Sequence, residues 1–337
     1  DRLWVEFEEY LHEKYDPLIN QVKAKGLREG IALSNHGYNA SALKAIGDQA
    51  YYVASDGRSH YALMRSQAGK SPEKLRDITS GARLNIHKDK GILISQPERC
   101  RNARIYYDIY RVDLDGSNYE RLTNCGRFRF SVWTNKGDKI VAVHNELGIN
   151  SLQLLDDNAK FIKKLWTGKQ GEQISHPDYS PIGDFIIASV WRKDLGWNIE
   201  QFDMETLQWS PVTRDKHIQA QPTYLADGRS IIYSSDDNGI YNVYKLNLET
   251  KEHAQLTSLV SGAFTPALTE NGLYYIGYRP QGFDLFYMKN VEYVTVEGVR
   301  EEEIAAESNA TEDVVIEDVS MVHMEFKQSN LGKIIDS

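Results

Sequence analysis

Cysteine is nearly missing from this 337-residue chain, Cys100 and Cys125 being its only two. Two thiols cannot furnish a cysteine-rich zinc site, and the nine histidines are scattered with no His-Glu-x-x-His among them. Long apolar runs are absent too, and none approaches the roughly 18 residues that a membrane-spanning helix needs. Basic residues are in deficit: 39 Lys and Arg stand against 48 Asp and Glu, for a net charge of −9. Nucleic-acid binding requires a clustered positive field, so no such partner is expected. No Gly-x-Ser-x-Gly nucleophile elbow occurs. Gly69-Lys70-Ser71 has Met64 where a phosphate loop needs its first glycine. Ser55-Asp56-Gly57 and the stretch Ser235 to Gly239 lack the distal Glu of a calcium loop. No catalytic constellation stands, and neither metal nor cofactor is expected. No signal-peptide pattern is read in the first residues. The chain begins at Asp1 and reads as a processed or truncated piece of a longer precursor.

What the sequence does have is a period. Gly47, Gly91, Gly137, Gly183, Gly228 and Gly272 follow one another at intervals of 44, 46, 46, 45 and 44 residues, each opening a short apolar run. A unit of about 40 to 50 residues cannot bury its own apolar face, so near-identical units must stack, as in solenoids and propellers.

The fifth unit shows four strands most plainly. Asp227-Gly228 joins strand a to strand b, because Asp-Gly between β-rich runs is a strong hairpin signal. A loop at Gly239 joins b to c, and a turn over Glu249 to Lys251 leads into strand d. Pro177, Pro222 and Pro266 precede their marker glycines by six residues and are expected at strand starts, where no ladder N–H is missed. Asp108, Asn150, Asn198, Asn242 and Asp284 recur between strands b and c and are expected to hold turns through side-chain to backbone bonds. Strand d ends in Thr79, Thr123, Thr167, Thr213 and Thr257. The sixth unit lacks such an ending, whereas Ala32-Leu33-Ser34 lies one period too early. A six-bladed β-propeller closed by an N-terminal strand around Ile31 to Ser34 satisfies both facts and leaves few exposed edges.

The organisation expected is a helical lead-in over 1–29, the propeller over 30–290 and an acidic linker or extension over 291–337. In the lead-in, Leu3, Trp4, Phe7, Tyr10 and Leu11 recur at helical spacing, and Asp16-Pro17 predicts the start of a second helix carrying Leu18, Ile19 and Val22. The final 47 residues hold the whole acidic excess, with 12 acidic against 3 basic residues. Val314 to Ile316 and Val319 to Phe326 could add a strand to a neighbour. Cys100 follows strand b of the second blade and Cys125 follows its strand d, connections that emerge on one face. A disulfide is geometrically open to them and would imply an oxidising compartment; two separate thiols are the alternative.

Pro177-Asp178-Tyr179-Ser180-Pro181-Ile182-Gly183-Asp184, Ala226-Asp227-Gly228-Arg229-Ser230-Ile231-Ile232-Tyr233, Ser235-Asp236 and Ile240-Tyr241-Asn242-Val243-Tyr244 resemble the TolB-type β-propeller repeat. The resemblance covers roughly residues 30 to 290, with Lys90-Gly91 and Lys136-Gly137 replacing the usual Asp-Gly in two copies. It implies a bacterial envelope protein, periplasmic, outer-membrane-associated or extracellular, whose propeller is a scaffold for a protein or peptide partner. Some similar envelope proteins carry a metallopeptidase-like domain before the propeller and an outer-membrane barrel after it. The second reading is therefore a propeller domain of a larger processed protease or outer-membrane protein that admits or positions substrate. In either case the residues nearest the channel mouth would do the binding: Tyr38, Arg83, Arg127, Arg129, Glu172, His176, Gln219, Gln221 and Phe264. Arg and aromatic groups of this kind dominate interface hot spots.

Overall fold

Each repeat pairs apolar, β-branched runs through tight turns, and the result is a ring of six antiparallel sheets, five of four strands and one of five. The computed structural model describes residues 2–289, 291 and 294–296. After helix α1 (Arg2–Ala24) and the short strand β1 (Ile31–Ala32), blade 1 comprises β2 (Asn39–Ile46), β3 (Gln49–Ser55), β4 (Ala62–Gln67) and β5 (Glu73–Asp77). Blade 2 comprises β6 (Arg83–His87), β7 (Gly91–Arg99), β8 (Ile105–Val112) and β9 (Glu120–Arg121). Blade 3 comprises β10 (Phe128–Trp133), β11 (Lys139–Glu146), β12 (Ile149–Asp156) and β13 (Phe161–Thr167). Blade 4 comprises β14 (Gln173–Tyr179), β15 (Phe185–Arg192), β16 (Gly196–Asp203) and β17 (Gln208–Pro211). Blade 5 comprises β18 (Gln219–Tyr224), β19 (Ser230–Ser235), β20 (Asn242–Asn247) and β21 (His253–Gln255). Blade 6 has β22 (Ala263–Thr269), β23 (Gly272–Arg279) and β24 (Gly282–Lys289), with β1 as its fourth strand.

The reason the units stack is visible in the core. Buried side chains form six clusters, one at each junction between neighbouring blades. Tyr52 of blade 1 meets Tyr274 and Ile276 of blade 6, and Leu93 of blade 2 meets Ile140 of blade 3. Each such side chain, fully withdrawn from water, contributes about 1.5–3 kcal/mol that no single blade could gain alone. Gly91 shows why the marker position resists other residues. Its φ is +78°, and a Cβ there would collide with the carbonyl of Val112 on strand c.

The expected closure is present in atomic detail. Ile31 pairs with Tyr287 and Ala32 with Phe286. The Leu33 amide donates to the Leu285 carbonyl at 2.8 Å, and the Leu285 amide donates to Ser34 Oγ at 2.9 Å. That last bond repeats a device found in other blades, where the hydroxyls of Thr123, Thr213 and Thr257 accept from the amides of Ile109, Ile199 and Val243. Each hydroxyl in turn donates to the recurrent Asx residue: Thr123 to Asp108, Thr213 to Asn198, Thr257 to Asn242 and Ser34 to Asp284. The Asx side chains thus bind the end of strand d as well as local backbone.

Three expectations are corrected. The lead-in is one helix, not two, since Pro17 lies inside α1. Proline removes a single ladder bond, and the turns on either side carry the helix past it, aided by the His12 to Asp16 contact at 3.1 Å. The end of α1 packs on the ring, with Val22 buried and Leu18 against Gly239, while Leu3, Trp4, Phe7 and Tyr10 stay exposed. The prolines, secondly, are not at strand starts. Pro177, Pro222 and Pro266 sit inside inner strands at register shifts, where a β-bulge leaves one residue without a ladder bond. Thirdly, residues 291–337 are not all extension, because β25 (Val294–Val296) adds a fifth strand to blade 5 beside β21. The remaining acidic stretch, with Val314 to Ile316 and Val319 to Phe326, lies outside the described residues.

Cys100 and Cys125 are joined in a disulfide, with Cα atoms 5.6 Å apart. It ties the b–c loop of blade 2 to the segment after β9.

Candidate functional site

The six inner strands run from one face of the ring, formed by the b–c and d–a loops, toward the face of the a–b turns. Four of them carry a bulge whose first residue has positive φ: Ala42, His176, Gln221 and Thr265. Such geometry in residues other than glycine is costly, and three of the four are followed by proline. The bulges turn these residues into the axis. There they line a cavity of about 30 Å³ together with Leu84 of β6 and Phe130 of β10. That is room for one or two water molecules.

One step further along the strands an ion pair crosses the axis. Lys44 Nζ of blade 1 reaches across to Asp178 Oδ1 of blade 4 at 3.0 Å and donates to Thr223 Oγ1 of blade 5 at 3.3 Å. Asp178 Oδ2 accepts from the Tyr224 amide at 2.9 Å. This pair, mostly withdrawn from solvent, links opposite sides of the ring.

The nine residues singled out from sequence divide into two groups. Arg83, Arg129, His176 and Gln221 come together round Phe130. The guanidinium carbons of Arg83 and Arg129 lie 5.9 and 6.0 Å from the Phe130 ring centre, and the His176 ring lies 5.1 Å from it. Gln221 Oε1 accepts from the Thr265 amide at 2.7 Å. The others are occupied elsewhere. Arg127 pairs with Glu146 at 3.1 Å and covers the Tyr106 ring at 4.5 Å, away from the axis. Glu172 holds Arg192 at 2.8 Å and anchors a d–a loop. Gln219 is buried and donates to Asp215 at 2.7 Å. Phe264 packs on Tyr241 and Phe283. Tyr38 is exposed on the loop face, its carbonyl accepting from Phe283. Sequence reasoning missed Lys44, Asp178, Thr223 and Thr265. What these residues share is a register that only the fold reveals, for Lys44, Asp178 and Thr223 each follow a bulge directly.

Electrostatics at the cavity are one-sided. Burial pushes the His176 imidazole down to about 3, with Arg83, Lys44 and Arg129 adding to the effect. Burial likewise lowers the Arg83 guanidinium, and neighbouring Arg129 acts in the same direction. His176 therefore stays neutral in the ring while the unfolded chain takes up a proton below about pH 6.5. The unfolded state then binds more protons, so stability falls as pH drops from about 6.5 toward 3, by at most about 1.4 kcal/mol per pH unit from this group. Urea unfolding at pH 7 and pH 4.5 should show a smaller loss in His176→Gln than in the parent. Glutamine suits the test because Gln221 already occupies the equivalent bulge in blade 5. Equal losses would remove His176 from the account.

No protein-family model matches the chain, and no curated protein matches its sequence. Solved structures do. The putative TolB of Agrobacterium tumefaciens aligns with a TM-score of 0.54 at 15% identity, over 67% of this chain and 83% of its own. The fold is that of the TolB-type β-propeller. A puromycin hydrolase complexed with PGG aligns at a TM-score of 0.52 and 13% identity, over 77% of this chain and 54% of its own. This chain thus spans about half the length of that hydrolase. The propeller domain of the trilobed protease from Pyrococcus furiosus gives 0.51 at 11% identity, over 78% and 98%. That domain has an open velcro topology, whereas here β1 closes the TolB-type ring. Identities this low concern fold and leave function to the site.

Proposed function

We propose that the ring is a non-catalytic scaffold whose b–c and d–a loop face binds a protein or peptide in the bacterial cell envelope. The distribution of exposed apolar side chains carries this reading. Tyr38, Ile105, Leu147, Leu195, Ile218, Val260 and Tyr278 are exposed on that face, so that every blade supplies at least one. Toward the opposite face the exposed apolar residues among those described, Ile31, Phe161, Ile162, Ile182 and Phe185, belong to blades 3, 4 and 6 and leave the other three blades without one. An apolar ring around an Arg-rich, aromatic centre has the composition of a recognition surface. The disulfide between Cys100 and Cys125 supports an oxidising compartment, periplasmic or beyond. Among the described residues no helix is long and apolar enough to cross a membrane.

The second reading, a propeller that admits substrate to a protease domain, gains support from the hydrolase and protease neighbours. It requires a passage, and the Lys44–Asp178 bridge across the axis favours the scaffold instead. The test is peptide selection on the purified protein. Joint replacement Leu147→Asp and Tyr278→Asp should weaken the selected peptides about tenfold or more, the scale of hot-spot loss. Ile182→Asp on the other face should leave them unchanged. The reverse pattern would place binding on the a–b turn face and end this proposal.

A further inference from the structure

The channel mouth holds more positive charge than the ring itself neutralises. Elsewhere, arginines near the blade ends meet carboxylates: Arg121 meets Asp108, Arg127 meets Glu146, and Arg192 meets Glu172 and Glu200. Among the described residues neither Arg83 nor Arg129 forms an ion pair. Arg83 Nη1 donates only to the carbonyls of Gly81 and Ala82, at 3.0 and 3.1 Å. Its Nε is buried without any hydrogen-bond partner, and so is Thr265 Oγ1 on the same cavity. No carboxylate lines that cavity, and Asp178 just beyond is committed to Lys44 and the Tyr224 amide. Two buried groups able to donate, Arg83 Nε and Thr265 Oγ1, thus face a cavity whose wall holds Arg83 and Lys44 but no carboxylate, with Arg129 beside it on the Phe130 ring. Buried groups of this kind are normally satisfied, by water or by a ligand.

We infer that the mouth anchors a carboxylate carried by a bound peptide, the guanidinium groups of Arg83 and Arg129 gripping it while Phe130 forms the apolar wall. This deepens the scaffold reading and rests on it. Size agrees, since a volume of about 30 Å³ admits a group as small as a carboxylate. Charge agrees as well, since Arg is suited to planar, bidentate recognition of carboxylates. An anion at this point would also relieve the repulsion between Arg83 and Arg129.

The probe is a random peptide library with free C termini, selected on the full chain, with affinities of the enriched peptides read by fluorescence polarisation. The enriched peptides are expected to carry an acidic residue or to need their terminal carboxylate. Amidating the C terminus, or changing the acid to its amide, identifies which of the two is used. Arg83→Gln and Arg129→Gln should each weaken binding about 10- to 100-fold, as loss of a charged hydrogen bond does. Arg83→Lys should recover part of the loss, and Lys193→Gln, an exposed charge on the same face, should have no effect. Thermal melts of each variant exclude unfolding as the cause. Neutral peptides that bind the Arg83→Gln/Arg129→Gln double variant as tightly as the parent would overturn the anchor while leaving the loop face as a binding surface. Selected peptides indifferent to both the arginine changes and the Leu147→Asp/Tyr278→Asp change would overturn both.

Discussion

Asp108→Ala is expected to destabilise the ring by about 3–5 kcal/mol, the combined cost of leaving several donors without their acceptor. The carboxylate is fully buried and serves several donors at once. Thr123 Oγ1 reaches it at 2.8 Å, the amides of Cys125 and Gly126 at 3.0 and 2.7 Å, and Arg121 at 2.6 Å. Without it, two amides and a hydroxyl are left with no acceptor, at the point where blade 2 hands the chain to blade 3. Asp108→Asn should cost less, because Asn198 and Asn242 fill the same position in blades 4 and 5. Equilibrium unfolding in urea measures both. If the alanine variant loses less than about 1 kcal/mol, a typical single hydrogen bond, then this clamp is not what joins strand d to the next blade.

The second large effect concerns closure. Deleting residues 1–34 removes β1 and Ser34, so the edge of β24 loses its neighbour and Asp284 loses the hydroxyl it accepts at 2.8 Å. An open edge strand is a template for pairing with another chain. The truncated ring should unfold at lower urea and self-associate, visible as a concentration-dependent mass in sedimentation. Ser34→Ala isolates the clamp, with an expected loss of about 1–3 kcal/mol for the buried groups left unsatisfied. A monomeric truncation with parental stability would mean that the ring does not depend on its N-terminal strand.

Much of this architecture was legible because spacing alone carries it. The glycine period counts the blades, and the unmatched Ala32-Leu33-Ser34 reveals the closing strand, since a hydroxyl belongs at that point of every strand d. Other features depend on contacts that no local pattern records. Pro177, Pro222 and Pro266 looked like strand starts, but bulges place them inside the inner strands and turn His176, Gln221 and Thr265 toward the axis. The bridge between Lys44 and Asp178 joins residues 134 positions apart and becomes visible only once blades 1 and 4 face each other. Arg127, Glu172 and Gln219 are expected at the mouth from topology, yet each is claimed by a partner that sequence could not assign. Pro17 suggested a helix start because its fixed φ suits a first turn, whereas the flanking turns of α1 outweigh one missing bond.

The most direct test of a loop face built for recognition is the footprint of a library-selected peptide, read by amide hydrogen exchange on the full chain. Protection should appear at Arg83, Arg129 and the loops bearing Leu147 and Tyr278, and the a–b turns should exchange as in the free ring. Protection confined to the turns around Ile182, or to the outer strands, would contradict the account.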